Sequence, residues 1–198
     1  SLNQKLAGAR VDRIFVPALE NHPQGYFKQE WCIEFYDQER SGQLFFSLRP
    51  QACGAFFLPP KTLKAASKAT RSGFDLGLVK YLEGQRINKI TAIQNERILE
   101  LKFGSQNQHS TLLLYFIPAN PEAVLLSGDE KSFEVLNRTR DLDSFSYPVG
   151  RVLPPELQNK FSLNTLYSSG FKAYSDAFLI SRSAAGLTIR QSRIEKIL

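Results

Sequence analysis

The chain has 198 residues, of which 42% are hydrophobic and 12% aromatic, so it can bury one good core and has the composition of an ordinary folded domain. No run approaches the roughly 20 apolar residues that span a bilayer, and residues 1–5 lack the build of a signal peptide, so we expect a cytoplasmic protein without membrane contact. The formal net charge is +6, and residues 61–120, with nine basic and four acidic side chains, carry most of it. Such a segment can attract polyanions, and on charge alone a solvated face is an equally good interpretation.

A nine-residue phrase with the pattern Leu-x-Gly-x-Arg occurs twice, at residues 6–14 and 82–90. A second pair of segments also matches, at residues 44–50 and 112–118, and each is followed by another apolar run. The matched segments lie much further apart along the chain than successive units of a solenoid do. The sequence therefore predicts one structural unit used twice.

Each copy of the phrase follows a short helical segment, near residues 2–6 and 76–82, and Gly8 and Gly84 are typical of the residue that ends a helix. Alternating apolar residues then predict antiparallel strands. The predicted strands lie near residues 11–16, 27–37, 44–48 and 55–58 in the first unit, and near residues 86–93, 97–103, 111–117, 123–126 and 132–135 in the second. Residues 104–109 are typical of a hairpin connection. Two such units predict an α+β fold, a two-layer antiparallel β-sandwich with flanking helices.

A basic series with spacings of three and four residues lies between the two units, and its members are Lys61, Lys64, Lys68 and Arg71. On a helix this spacing would align the four charges on one face. The low apolar content is equally consistent with a mobile loop, which would suit a segment that grips phosphate on contact.

No catalytic constellation is found in the sequence. The two histidines, His22 and His109, lie in a loop and a polar turn, away from any candidate nucleophile. Cys32 and Cys53 are too few for a disulfide scaffold and lack metal-ligand spacing, so we expect reduced thiols and no metal site. No phosphate-cradling loop or dinucleotide fingerprint is present. We therefore expect a protein that is not an enzyme and needs no cofactor.

One polar triplet, residues 95–97, stands at a turn between two predicted strands. After Asn95 it places the acceptor Glu96 beside the guanidinium of Arg97. Such a pair can bind a phosphate or a base edge while the acceptor orients the donor, which is a common way of gripping RNA. A Glu-Arg dipeptide in a hairpin is more often plain surface.

Residues 78–90, followed by residues 94–98, resemble a motif of the NFACT-N domain, the amino-terminal domain of the RqcH, NEMF and fibronectin-binding protein A family. The family pattern is Leu-Arg-Lys-Tyr-Leu-Glu-Gly-Gly-Arg-Ile, a further strand, and then Asp-Arg at a turn before an apolar strand. Residues 6–14, 116–127 and 147–155 are similar to three other elements of that domain, in the same order. The resemblance covers about residues 2–155.

This resemblance implies a fold similar to the amino-terminal domain of formamidopyrimidine-DNA glycosylase. It also implies a role in ribosome-associated quality control, in which family members bind a large ribosomal subunit that carries a stalled peptidyl-tRNA, recruit tRNA and add carboxy-terminal tails. The family's Asp-Arg pair belongs to tRNA engagement and maps onto Glu96 and Arg97, where Glu reaches one methylene further than Asp. We expect an NFACT-N-like domain over residues 1–155 and a helical segment over residues 156–198 that leads toward a coiled coil, without the family's helix-hairpin-helix module.

Three functions remain open. The leading hypothesis is a non-catalytic RNA-binding domain that contacts tRNA and the large ribosomal subunit, and its expected RNA-binding residues are Glu96, Arg97, Asn95, Arg86, Lys89, Lys61 and Lys64. The second is an adhesion or protein-interaction module that binds fibronectin. The third is a DNA-binding protein of the glycosylase class, which is disfavoured because Ser1 and Leu2 replace the proline and glutamate that base excision would need.

Overall fold

The computed structural model describes residues 6–20, 22–37, 41–50, 52–67, 69–93, 96–105, 108–128, 131–140, 144–149 and 179–185. Nine strands and one ten-residue helix account for most of these residues. The first unit contains β1 (Arg10–Phe15), β2 (Glu30–Tyr36), β3 (Ser41–Arg49) and β4 (Ala52–Leu58). The second contains α1 (Gly73–Leu82), β5 (Ile87–Ala92), β6 (Ile98–Ser105), β7 (Gln108–Tyr115), β8 (Glu122–Gly128) and β9 (Phe133–Arg138). Each predicted strand corresponds to one observed strand.

The strands form two antiparallel sheets, ordered β1-β2-β3-β4 and β5-β6-β7-β8-β9, in which every neighbour in space is a neighbour in sequence. The inner faces of both sheets contribute to one hydrophobic core, in which residues such as Ile33, Phe46, Leu101 and Leu112 are buried. The predicted two-layer antiparallel β-sandwich is confirmed. The expected likeness to the glycosylase domain stays a prediction.

The register of the strands matches between the two units. β1 and β2 have an irregularity between Val11 and Arg13, and β5 and β6 have one at the same place in the second copy of the phrase, between Ile87 and Lys89. Phe46 pairs with Ala55 between β3 and β4, and their counterparts in the second unit, at positions 114 and 123, pair between β7 and β8. Equivalent residues therefore occupy equivalent places in the two sheets.

The two copies of the phrase lie against each other. The Gly8 N–H donates to the Ile87 carbonyl at 2.7 Å, and the equivalent Gly84 N–H donates to the Val11 carbonyl at 2.9 Å. A second equivalent pair of bonds joins residue 11 to residue 85 and residue 87 to residue 9, around an antiparallel bridge between Arg10 and Arg86. This bridge is a local pseudo-two-fold axis, and because the pairing is antiparallel, β1 and β5 run away from it in opposite directions.

The glycine of each phrase is required by the backbone, since Gly8 has φ 89° and Gly84 has φ 81°. These are left-handed conformations in which a side chain is strained. Gly84 follows Glu83, the C-cap residue of α1, and turns the chain into β5. The helical segment expected near residues 2–6 lies outside the described residues except for Leu6, which is helical and fully buried.

Helix α1 begins with a capping box in which Ser72 and Asp75 bond to each other's backbone N–H groups. Asp75 is buried, and it also accepts a hydrogen bond from the indole N–H of Trp31 in β2. Trp31 stacks on Phe46 with ring centroids 5.2 Å apart and meets Phe74 edge-on. The cap of α1 is thus tied to the aromatic part of the core.

Part of the outer face of each sheet is covered by chain from elsewhere. Phe145 and Tyr147 pack on an apolar cluster of the second sheet that includes Leu113 and Val124. Leu63 and Leu179 pack on the cluster of Phe45, Phe56 and Leu58 on the first sheet. Residues 179–185 are helical, whereas the rest of the predicted segment 156–198 lies outside the described residues, and the division at residue 155 stays a prediction.

A buried carboxylate holds this helical segment to the first sheet. Glu30 is 0% exposed and Arg182 is 5% exposed, and the Arg182 Nε donates to the Glu30 Oε2 at 2.6 Å. The other carboxylate oxygen accepts from the Arg49 Nη1 at 3.0 Å. Arg182 also donates to the carbonyls of Pro17 and Ala18, each at 3.3 Å. No helix in the described ranges is long and apolar enough to cross a membrane.

Candidate nucleic-acid interface

Glu96 and Arg97 lie in the turn between β5 and β6, and hydrogen bonds hold the backbone of both residues. The Ile93 N–H donates to the Ile98 carbonyl at 2.9 Å, and the Glu96 N–H donates to the Ile93 carbonyl at 3.1 Å. The Arg97 carbonyl accepts from the Phe116 N–H, at the end of β7, at 2.7 Å. Arg97 itself is exposed and Glu96 is half-buried. The guanidinium therefore extends into solvent from a backbone that is already ordered.

Lys89 shares this hairpin. It is exposed on β5, and its cross-strand partner on β6 is Lys102, a residue that the sequence analysis did not select. Paired residues of neighbouring strands point to the same face of a sheet, so the two ammonium groups share the outer face. Asn95 lies outside the described residues.

Arg86 has a structural contact as well as an exposed charge. Its Nη1 donates to the Gly8 carbonyl at 2.7 Å and lies 4.0 Å from an Asp37 oxygen, while 59% of the side chain remains accessible to solvent. The first phrase mirrors this arrangement, because the Arg10 Nη2 lies 3.5 Å from the position that a Cβ of Gly84 would take. Each phrase arginine therefore lies against the glycine of the other copy, which explains why the phrase contains both residues.

Lys61 and Lys64 lie in a loop, and among the described residues between 59 and 72 none is helical, so the helical interpretation of the basic series is wrong. The loop is held by bonds that a helix could not make. The Lys64 carbonyl accepts from the Ala18 N–H at 2.7 Å, and the Ala66 N–H donates to the Val16 carbonyl at 2.9 Å. The Gln43 side chain adds a reciprocal pair of bonds to the backbone of Leu63, at 2.8 and 3.0 Å.

The expected residues therefore fall into separate places. Glu96, Arg97 and Lys89 share the β5–β6 hairpin, and Arg86 precedes β5 at the pseudo-two-fold axis. Lys61 and Lys64 lie beside residues 16–18, beyond the end of β1. Since β1 and β5 diverge from the axis, this loop and the Arg97 turn lie at opposite ends of the two strands, with roughly 40 Å of extended chain between them. The structure does not bring the two basic regions together.

The described part of the chain contains no group of three His, Cys, Asp or Glu residues that could hold a metal ion. Both cysteines are free, with Cys32 buried and Cys53 half-buried. Burial raises the pKa of the Cys32 thiol far above its ordinary value, and the nearby Glu34 carboxylate raises it further, whereas Arg13 acts in the opposite direction. Cys32 is accordingly a small buried apolar side chain rather than a nucleophile.

Two clefts in the described part of the chain, of about 110 and 220 Å³, lie away from the Arg97 turn. The smaller lies between β1, α1 and the basic loop and includes Trp31 and Asp75. The Asp75 oxygens already accept from the Trp31 indole and the Ser72 N–H. The larger lies at the junction of the phrases, beside Arg10 and Gly84. The Arg97 site is an open surface, which suits an extended polyanion better than a small molecule.

Comparison with known proteins gives matches in sequence and in structure. A family model described as NFACT N-terminal and middle domains matches residues 1–117. Two curated relatives, each called Rqc2 homolog RqcH and found in the D39 and R6 strains of Streptococcus pneumoniae, are 26% identical to this chain over 159 residues. The match covers 78% of this chain and 26% of each relative, so the chain spans about a quarter of their length.

Two solved structures share the fold. The N-terminal region of the fibronectin/fibrinogen-binding protein from Streptococcus suis matches with a TM-score of 0.58 and 20% identity, over 77% of this chain and 56% of that chain. The N-terminal domain of fibronectin-binding protein PavA from Streptococcus pneumoniae matches with a TM-score of 0.57 and 17% identity, over 94% of this chain and 78% of that chain.

Proposed function

Since this chain belongs to the family of NFACT N-terminal and middle domains, we propose that it is a non-catalytic RNA-binding domain that engages tRNA and the large ribosomal subunit in ribosome-associated quality control. The observation that carries the proposal is the Glu96-Arg97 pair. It occupies the turn at which the family pattern has Asp-Arg, and its arginine is exposed on an ordered backbone.

The chemistry of this pair suits RNA phosphate. A guanidinium offers five donors in a planar fork and can bind a phosphate with two parallel bonds, which a lysine cannot do. The Glu96 carboxylate is close enough in sequence to orient the fork. Three hydrogen bonds already hold the backbone of residues 93, 96 and 97, so binding does not have to order these residues as well. The relatives called Rqc2 homolog RqcH support a role of this domain in the same process.

Charge reversal at the turn tests the proposal. Arg97→Glu should weaken equilibrium binding of tRNA by about 10- to 100-fold, because charge-assisted hydrogen bonds are worth about 1.5–3 kcal/mol. The matched control is Arg140→Glu, which makes the same charge change at an exposed residue just beyond β9, on the far edge of the same sheet. Circular dichroism checks that both variants fold. If the two substitutions weaken tRNA binding equally, the effect comes from net charge and Arg97 is not a specific contact.

A second measurement separates the proposal from the adhesion alternative. The chain is sedimented with isolated large ribosomal subunits and, in parallel, is applied to immobilised fibronectin. The proposal predicts that it sediments with the subunits and that Arg97→Glu reduces the bound fraction. Binding to fibronectin that does not change with Arg97→Glu, together with no association with subunits, would favour the adhesion module.

A further inference from the structure

The duplication supplies an internal reference for the charges on the two sheets. In the first unit Arg13 of β1 pairs with Glu34 of β2, and their side chains form an ion pair, Nε to Oε2, at 2.5 Å. The same register position in the second unit pairs Lys89, the counterpart of Arg13 in the repeated phrase, with Lys102, the counterpart of Glu34 in the second hairpin. An ion pair in one unit is thus a pair of like charges in the other.

This replacement is unfavourable for the sheet itself. Opposite charges on directly paired residues stabilise an antiparallel sheet, and like charges at the same position destabilise it. The first unit shows that the fold accepts the favourable pair at this position. A feature that weakens the structure where a stabilising alternative fits is expected at a functional site.

The charges around the lysine pair, Lys89 and Lys102, do not cancel. The Lys102 Nζ lies 3.5 Å from the Glu100 Oε1. The Glu100 side chain is 6% exposed, and its carboxylate also accepts a hydrogen bond from the Tyr147 hydroxyl. Glu100 can therefore balance one of the two cations. Lys89 is exposed, and none of the described acidic residues lies within 4.0 Å of it in an ion pair.

The neighbouring positions of the second hairpin are also less acidic than their counterparts in the first hairpin. The irregular residue of β1 is Asp12, and its equivalent in β5 is Asn88. Across the whole hairpins, β1 and β2 carry two arginines and three carboxylates, which gives a net charge of −1, whereas β5 and β6 carry the two lysines and Glu100, which gives +1. The β5–β6 hairpin therefore carries less acidic charge than the β1–β2 hairpin, and Lys89 and Lys102 lie on this less acidic hairpin.

We propose that Lys89 and Lys102 form a binding site for a phosphate of an RNA backbone. The proposal rests on the proposed function, and it extends the contact surface from the Arg97 turn along the outer face of β5 and β6. The strand from Arg97 to Lys102 spans roughly 16 Å. One RNA molecule that lies along the hairpin would contact the turn with one phosphate and the lysine pair with another.

Lys89→Glu tests the site, because it converts the like-charged pair into an inverted copy of the Arg13–Glu34 ion pair and leaves the Lys102–Glu100 contact in place. The logarithm of the tRNA association constant is measured against the logarithm of the salt concentration. Loss of one phosphate contact should reduce the slope by about 0.7 to 0.9. The melting temperature should stay equal to that of the wild type or rise. Lys28→Glu, at an exposed lysine between β1 and β2, is the matched control and should keep the wild-type slope.

The outcomes distinguish this inference from the proposed function. A reduced slope for Lys89→Glu with an unchanged or higher melting temperature supports the site, because a purely structural lysine could not weaken binding while the fold is retained. A wild-type slope for Lys89→Glu, or an equal reduction for Lys28→Glu, overturns the site and leaves tRNA binding intact. Failure of the wild type to bind tRNA overturns both. Lys89→Gln, which removes the charge without reversing it, is measured in parallel and decides the result if Lys89→Glu does not fold.

Discussion

Arg182→Ala should destabilise the protein by about 2–3 kcal/mol, although the residue lies 152 positions from its partner Glu30 and far from the Arg97 turn. Removing one member of a buried ion pair commonly costs about 3–5 kcal/mol, because the other charge is left buried and uncompensated. Here the Arg49 Nη1 still contacts the second oxygen of Glu30 at 3.0 Å. Because this contact remains, we expect a loss that lies just below that range.

Urea unfolding of Arg182→Ala, Glu30→Gln and the double variant measures the interaction as a cycle. If Arg182 and Glu30 act as one buried pair, the double variant should lose less than the sum of the single variants, with a coupling of about 1.5 kcal/mol or more. Additive losses would contradict the buried pair. A loss below about 0.5 kcal/mol for Arg182→Ala, within the range of ordinary surface substitutions, would show that residues 179–185 do not dock on the first sheet.

Three further predictions concern the scaffold. Gly84→Ala should lower the free energy of unfolding by about 1–2 kcal/mol, because the backbone has φ 81°, which strains a residue with a side chain, although the added Cβ itself would have space. An unchanged urea midpoint would contradict this backbone strain. Trp31→Phe should cost about 1.5–3 kcal/mol, because the buried Asp75 loses the indole donor, and a loss in urea unfolding no larger than about 0.5 kcal/mol would mean that the bond is dispensable. Above pH 9.0, the ordinary pKa of a cysteine thiol, only the unfolded chain releases the Cys32 proton, so stability should fall with rising pH by up to about 1.4 kcal/mol per pH unit from this group. Cys32→Ala should remove that part of the slope, and an identical pH profile for the two proteins would show that the thiol ionises in the folded state.

The fold was predictable because its determinants are local and repeated. Apolar alternation marked the strands, and Gly84 of the repeated phrase marked the end of α1. The repeat also points to Lys102, a residue that the sequence analysis did not select. Aligning the two units on their matched segments sets Lys89 against Arg13 and Lys102 against Glu34, so Lys102 could have been selected from the sequence once the strand register was known.

For the basic series, the sequence left a helix and a loop as equal interpretations. The spacing of three and four residues matches a helix, but hydrogen bonds with Gln43, Val16 and Ala18 hold the segment as a loop, and these partners are distant in sequence. Local pattern cannot reveal long-range hydrogen bonds of this kind. The same holds for Arg182, whose role depends on the buried Glu30 at the start of β2. For the site, the sequence identified the turn, and the structure separated Lys61 and Lys64 from it.

The most direct test of the central claim, that the β5–β6 hairpin binds tRNA, is photo-crosslinking from the hairpin itself. A photo-reactive amino acid replaces Ala92, which is exposed at the end of β5 and leaves Arg97 unchanged, and the control carries the same group at Arg140. Both proteins are irradiated with large ribosomal subunits and total tRNA, and the attached RNA is sequenced. The account predicts tRNA attached at position 92 and little or none at position 140. No RNA at position 92, or equal amounts at the two positions, would contradict it.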